Sequence, residues 1–514
     1  MKRTIVTAKW VVTGIKDRHS PEILSDGAVL SSDGVIEAVG SLSELKRLAP
    51  EAKVENYPNH IMLPGFVNSH HHVGLTPLQV GTPDLALEMW LAYRSFERRV
   101  DYYLDTLYSA FEMLASGTTT VAHVNGWLPG DLATAHRGST MILDAYRKIG
   151  MRASFSIMAR DQNRLVYEDD EQFCARLPSE LGRKLSERLR SQSTPISESI
   201  QLFEQLTREN EGQSLTRIQL APANLHWCSD DALLALEEKS RSANVPMHMH
   251  LLETIYQKEY GRRRSNGKTA VRHLYDLGIL SPRMTLGHGV WLSEEDIEIA
   301  AQTGTCICHN CSSNFRLRSG VAPLNMFEAR GVTTAIGLDE AGINDDRDML
   351  QEMRLVLRAH RTPGMDEDDV PTVPQVVRMA TEGGAKTTAF GDRIGRLEKS
   401  RYFDAVLIDW NEATFPYQDA AIPVLDAIVQ RARTNAVKAV YVDGEVVYAD
   451  GRFTRVDRDE ILREIAEQMA REYTPGELAQ AKLVNETVPY VRRFYDNYLP
   501  KDPPEPFYRQ SARR

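Results

Sequence analysis

Ile61-Met62-Leu63-Pro64-Gly65-Phe66-Val67-Asn68-Ser69-His70-His71-His72 runs from unbroken apolar sequence into three histidines. Apolar on both faces, the run over 61–67 reads as a buried strand of a parallel sheet, the kind found in α/β proteins. At a strand end, His70 and His72 lie two residues apart and point the same way, so both can reach one ion. His71 points the other way and is read as structural. A His-x-His pair alone is equally well explained as a satisfied core pair. Three more polar clusters end apolar runs further along: His248-Met249-His250-Leu251-Leu252-Glu253, Gly287-His288-Gly289 and Gly337-Leu338-Asp339. Imidazole and carboxylate donors suit a borderline divalent ion such as zinc. A cation that keeps one position for water makes that water acidic near neutral pH. Together the four clusters imply a hydrolase.

Working outward, strand-like runs recur near 61–67, 118–124, 151–158, 217–222, 245–251, 284–288, 304–308 and 333–338, with helix-like stretches between them. Eight such alternations predict a (β/α)₈ TIM-type barrel over 59–395, an α/β fold. Residues 1–58 and 396–455 carry β-branched runs broken by turns. Asp443-Gly444 is a two-residue hairpin signal. The segment 161–212 is too long for a plain loop. It leaves the third strand on the face where the histidines gather, and is read as a lid or pocket wall, with surface packing or subunit contact as the other reading. Residues 456–514 form a C-terminal arm, helical and then proline-rich.

The motifs are specific enough to compare with a known family. Pro64-Gly65-Phe66-Val67-Asn68-Ser69-His70-His71-His72 resembles the opening metal motif of the amidohydrolase superfamily, in the branch of cytosine, guanine and adenosylhomocysteine deaminases and triazine hydrolases. Ser116-Gly117-Thr118-Thr119-Thr120 is similar to that branch's second-strand signature, and His250-Leu251-Leu252-Glu253 to its His-x-x-Glu. His309-Asn310-Cys311-Ser312-Ser313-Asn314 resembles its His-Asn-Pro-x-Ser-Asn, with Cys311 where the family has proline.

The resemblance implies that both chain ends build a small β-sandwich. It implies one divalent ion, zinc first and Fe2+, Co2+ or Mn2+ otherwise, held by His70, His72, His250 and Asp339. Asp339 would also take the water's proton, His288 would hydrogen-bond water or substrate, and Glu253 would shuttle a proton to the leaving nitrogen. His248 is the other candidate ligand on its strand, and the His-x-x-Glu match decides for His250. The fourth strand, Ile218-Gln219-Leu220-Ala221-Pro222-Ala223, ends without the lysine or carboxylate that bridges two ions in two-metal relatives. Trp90, His123, Asn224, His226, His309 and Glu340 are the substrate-binding candidates, with Trp127 and Trp227 as further aromatic surfaces. Ala223 stands where some relatives have a substrate-binding histidine. Glu340 stands where many have glycine, and is read either as a contact to a cationic or N–H-rich group or as the cap of a helix starting near Asp346.

Composition bounds the rest. The net charge, 61 − 71 = −10 over 514 residues, argues against a nucleic-acid partner. No stretch approaches the ~20 apolar residues of a membrane span. Five sparse cysteines and an N-terminus that enters strand-like sequence directly give the expectation of a cytoplasmic protein. Tyr490, Phe494, Tyr495, Tyr498, Phe507 and Tyr508 in the arm suggest subunit contacts, hence a homodimer or larger oligomer. The expected activity is hydrolysis of a C–N bond in a small nitrogen-rich heterocycle, urea or amide. The alternatives are triazine-type dechlorination and a non-catalytic scaffold.

Overall fold

The computed structural model describes every residue except 1, 2, 73, 95–97, 127, 129, 368, 369 and 502–514. Two parallel arcs carry the histidine clusters. The first orders β5 (Phe66–His71), β6 (Thr118–Asn125), β7 (Arg152–Ala159) and β8 (Thr216–Ile218), with β9 (Ala221–Pro222) paired to β7. The second orders β10 (Met247–Leu251), β11 (Met284–His288), β12 (Cys306–His309) and β13 (Thr334–Ile336). Parallel bridges Leu220↔Met247 and Asn224↔His250 join the arcs on one side. On the other side the Asn68 side chain spans the gap: Oδ1 accepts from the Leu338 N–H at 2.8 Å, and Nδ2 donates to the Leu338 carbonyl at 3.3 Å. Every residue of β5, β6, β10 and β11 is buried, as strands covered on both faces require.

Both chain ends meet in one eight-stranded sheet. Its order runs β17 (Arg452–Phe453), β16 (Glu445–Ala449), β15 (Val437–Val442), β14 (Ala405–Asp409), β4 (Lys53–Pro64), β1 (Arg3–Ile15), β2 (Pro21–Ser32), β3 (Val35–Ser41). Asp443 and Gly444 turn the β15–β16 hairpin with φ of 54° and 75°, the left-handed pair that a two-residue loop needs.

Here the sequence expectation needs its first correction. The run 61–67 is not one strand. Ile61–Pro64 finish β4 and pair antiparallel with β14, from Ala405↔Pro64 to Asp409↔His60. The parallel strand β5 starts only at Phe66, so the end sheet extends past the boundary placed at 58. Gly65 makes the hand-over, where a Cβ would sit 2.2 Å from Thr119 Oγ1. A buried arginine ties the two units together. Arg152 Nε lies 2.6 Å from Asp404 Oδ2 and its Nη2 lies 2.9 Å from Asp443 Oδ1.

The second correction concerns 161–212. Helix Ile196–Glu209 packs between Leu132–Ile149 and Asp230–Ala243 and against β7 and β8, as an ordinary outer helix of the parallel unit. The true addition is the stretch before it, with helices Asp170–Ala175 and Ser179–Ser191.

The third correction concerns the arm. Helix Pro475–Asp496 packs on its own chain, against Leu87–Arg94 and Ser179–Ser191. Tyr495 and Tyr498 are buried in a cluster with Met89, Tyr167, Phe173 and Leu185, and Tyr490 and Phe494 lean on it. Their packing removes the reason for assigning these aromatics to a subunit contact. Phe507 and Tyr508 lie outside the described residues. No described helix is long and apolar enough to cross a membrane.

Candidate active site

Four strand ends converge on one point. His72 Nε2 lies 2.9 Å from His70 Nε2, 3.1 Å from His250 Nε2 and 3.2 Å from Asp339 Oδ1. The rings are held from behind. His250 Nδ1 faces the Ala223 carbonyl at 2.8 Å, and His72 Nδ1 faces that of Val124. His70 Nδ1 faces His248 Nε2 at 2.7 Å. A carbonyl accepts only from N–H, so His72 and His250 carry their protons on Nδ1 and turn bare Nε2 lone pairs inward. Burial pushes the His70 and His250 pKa values well below the ordinary imidazole range. Neutral rings converging lone pairs beside a carboxylate are a donor set that a divalent cation fits, with the outward hydrogen bonds characteristic of such sites.

Local sequence explains the close approach. A Cβ on Gly337 would lie 2.6 Å from the His70 Cβ, so only glycine lets the last strand pass. Asp339 Oδ2 accepts from Ser313 Oγ at 2.7 Å and lies 3.7 Å from His288 Nε2. Burial works against the Asp339 charge. The carboxyl nonetheless sits below its usual range, and the Ser313 hydroxyl donating to Oδ2 is one of the contacts that favour its charge. His288 is held with a left-handed φ of 72°, and Asn314 Oδ1 lies 3.0 Å from its Nδ1.

Glu253 follows β10 through Leu252, whose φ is 52°. Thr254 caps the next helix, Ile255–Arg264, and the Glu253 N–H donates to Gln257 Oε1 at 2.9 Å. The side chain thus starts a helix at the cavity floor, with Oε2 3.7 Å from His288 Nε2. Burial, then the nearby Asp339 and Glu88 carboxylates, push its pKa well above the usual carboxylate range.

His72, His250, Glu253, His288 and Asp339 form the floor of a cavity of about 730 Å³, with His70 fully buried behind them. Of the substrate-binding candidates, Trp90, Asn224, His226 and Glu340 line it, together with Trp227. His123 and His309 do not. His123 is tied to Tyr146 Oη at 2.8 Å and to the His72 carbonyl at 3.1 Å. His309 Nε2 pairs with His360 Nε2 at 2.8 Å. Both are buried on the far side of their strands. Trp127 lies outside the described residues.

The cavity's roof combines part of the segment read from sequence as a lid or pocket wall with a C-terminal helix that sequence reasoning did not place there. Leu185, Arg188 and Leu189 of the added segment and Leu483, Val484, Thr487 and Val488 of the C-terminal helix close the cavity over the floor. Sequence reasoning also missed Arg94, which bridges to Glu340. His248, legible as the i−2 partner of His250, sits behind His70 with its Nε2 2.7 Å from His70 Nδ1.

Parallel strands ending in buried imidazoles and a carboxylate define a hydrolase-type metal centre in an α/β protein. Residues 61–447 match the amidohydrolase family, and the chain belongs to it. A 5-methylthioadenosine/S-adenosylhomocysteine deaminase of Thermodesulfovibrio yellowstonii is 27% identical over 472 residues, covering 90% of this chain and 97% of its own. Among solved structures, a zinc-bound adenosine deaminase from Xanthomonas campestris superposes with a TM-score of 0.75 at 23% identity, covering 91% and 97%. Atrazine chlorohydrolase from Arthrobacter aurescens, complexed with zinc, gives 0.76 at 20% identity, covering 90% and 99%.

Proposed function

We propose that the chain is a metal-dependent hydrolase that removes an amino group from a small nitrogen heterocycle. The carrying observation is the convergence of three histidine Nε2 atoms and Asp339 beside a buried Glu253. In this reading the two arcs close as a (β/α)₈ barrel, and the shared sheet of both termini folds as the small sandwich beside it. The domains become 1–64 with 396–455, 65–395, and the arm from 456.

His70, His72, His250 and Asp339 would hold one divalent ion, zinc first, which acidifies a water and polarises the attacked carbon. Asp339 accepts the attacking water's proton through the carboxylate edge that Ser313 orients. Glu253 delivers its proton to the departing nitrogen, so that ammonia or an amine leaves instead of an anion. His288, 3.7 Å from an oxygen of each carboxylate, holds the oxygen nucleophile between them. The roof excludes bulk water, which strengthens these contacts. A buried proton donor matters for a nitrogen leaving group and not for chloride, and this favours deamination over dechlorination. The zinc-bound and deaminase relatives support the same reading.

The test pairs metal analysis with an ammonia-release screen of purines, pyrimidines, triazines and arylureas. About one divalent ion per chain and release of ammonia from at least one heterocycle are expected. A protein that binds no divalent ion, or that releases chloride but never ammonia, sinks the reading.

A further inference from the structure

Glu340 sits directly after Asp339 and faces the same cavity. The helix-capping role open to it from sequence does not occur. The next helix, Met349–Ala359, is capped by Asp348, whose side chain accepts from the Gln351 N–H. The Glu340 carbonyl accepts instead from Arg347 Nη2 at 2.9 Å. The two carboxylate oxygens differ. Oε1 accepts from Arg94 Nη1. Oε2 is buried and has no hydrogen-bond partner among the described residues. A buried acceptor left unmade is costly, and a charged one more so. Such a group persists where something outside the protein completes it. Arg94 holds the carboxylate in place while lying over the Trp90 ring at 4.7 Å, so an aromatic ring, a cation and a buried, unpaired acceptor lie together beside the metal-ligand cluster.

Resting on the hydrolase reading, we propose that Glu340, oriented by Arg94, is a specificity-determining residue whose Oε2 accepts an N–H from the substrate. The substrate class is then a ring carrying a second amino or ring N–H donor in addition to the nitrogen that leaves.

The test uses two compounds that differ by one amino group and have nothing to displace: purine riboside and 2-aminopurine riboside. Binding to the metal-loaded protein is measured by calorimetry, so the outcome does not depend on turnover. The wild-type protein should bind the amino compound at least about tenfold more tightly, the worth of one charge-assisted hydrogen bond. In Glu340→Gln, Arg94 keeps the amide oxygen and the amide NH2 takes the place of Oε2. A donor then meets a donor, and the preference should vanish or invert. Glu340→Asp keeps the charge opposite Arg94 but withdraws it by one methylene, and should lose most of the preference with the fold intact by near-ultraviolet dichroism. No preference in the wild type, no binding of either compound, or a preference that survives both substitutions overturns the assignment. Absence of ammonia release from every heterocycle, with the preference intact, would fault the hydrolase reading and leave this contact standing.

Discussion

The floor and the roof of the cavity are built on different physics. On the floor, side chains are fixed by directed hydrogen bonds: Asp339 by Ser313, His250 by the Ala223 carbonyl, His288 by Asn314. The roof holds by apolar contact between segments far apart in sequence, with Leu185 and Leu189 packed against Val484, Val488 and Val491. A floor of that kind is intolerant of small displacements and placed for chemistry. A roof without a hydrogen-bonded ladder to the floor can open locally while the parallel strands stay folded.

The largest expected effect lies on the floor. Glu253→Gln keeps size and removes the transferable proton. Turnover on a nitrogen leaving group should fall roughly 10²–10⁴-fold. Metal content should stay unchanged, as read by elemental analysis. Near-normal turnover would break the contrast, because the best-held acid of the floor would then do nothing.

The roof should respond in stability instead. Leu189→Ala removes a buried side chain from the added helix, at a cost of about 2–5 kcal/mol. The loss should appear as faster amide exchange across 179–191 and 475–496, with protection of β10 and β11 unchanged. Equal loss of protection in both places would mean that roof and floor form one cooperative unit.

A pH effect sharpens the comparison from below the floor. Glu352 accepts from the Ser312 N–H at 3.0 Å beneath the end of β12, and burial pushes its pKa up to about 7 from 4.5. The folded protein therefore binds a proton that the unfolded chain has released. This contribution is complete below about pH 4.5 and is lost as pH rises through about 7, roughly 3 kcal/mol in all. Glu352→Gln should remove that slope from denaturant midpoints taken between pH 5 and 8. An unchanged slope would show that Glu352 is not the group responsible.

The smallest effect belongs to the support behind the floor. His248→Ala leaves His70 Nδ1 without its partner at 2.7 Å. Metal affinity should drop about 10–100-fold in competition with a chelator, with the ligand set still complete. No drop would make His248 a packing residue.

How much of this was readable depended on the range of the interaction. The clusters around His70 and His72, His250, His288 and Asp339 stood out because each ends an apolar run, while the choice of His250 over His248 and the roles expected of Asp339, His288 and Glu253 came from the resemblance to the amidohydrolase superfamily. The break at Pro64-Gly65 was misjudged because an apolar run does not say which sheet it will join. Only pairing with Ala405–Asp409, distant in sequence, settles that. His123 and His309 looked like pocket residues because they too end strands, yet they face Tyr146 and His360 across the outer layer.

Sequence alone determined the parallel α/β plan, the cluster of metal-type donors and the acid beside them, since these follow from local periodicity and residue chemistry. Tertiary structure alone decided that helix Ile196–Glu209 belongs to the outer layer, that the C-terminal helix folds back over the cavity, and that Glu340 has one oxygen held by Arg94 and one open. Each of these depends on apolar faces or charges meeting across long stretches of chain, and no local pattern records which face will find which partner.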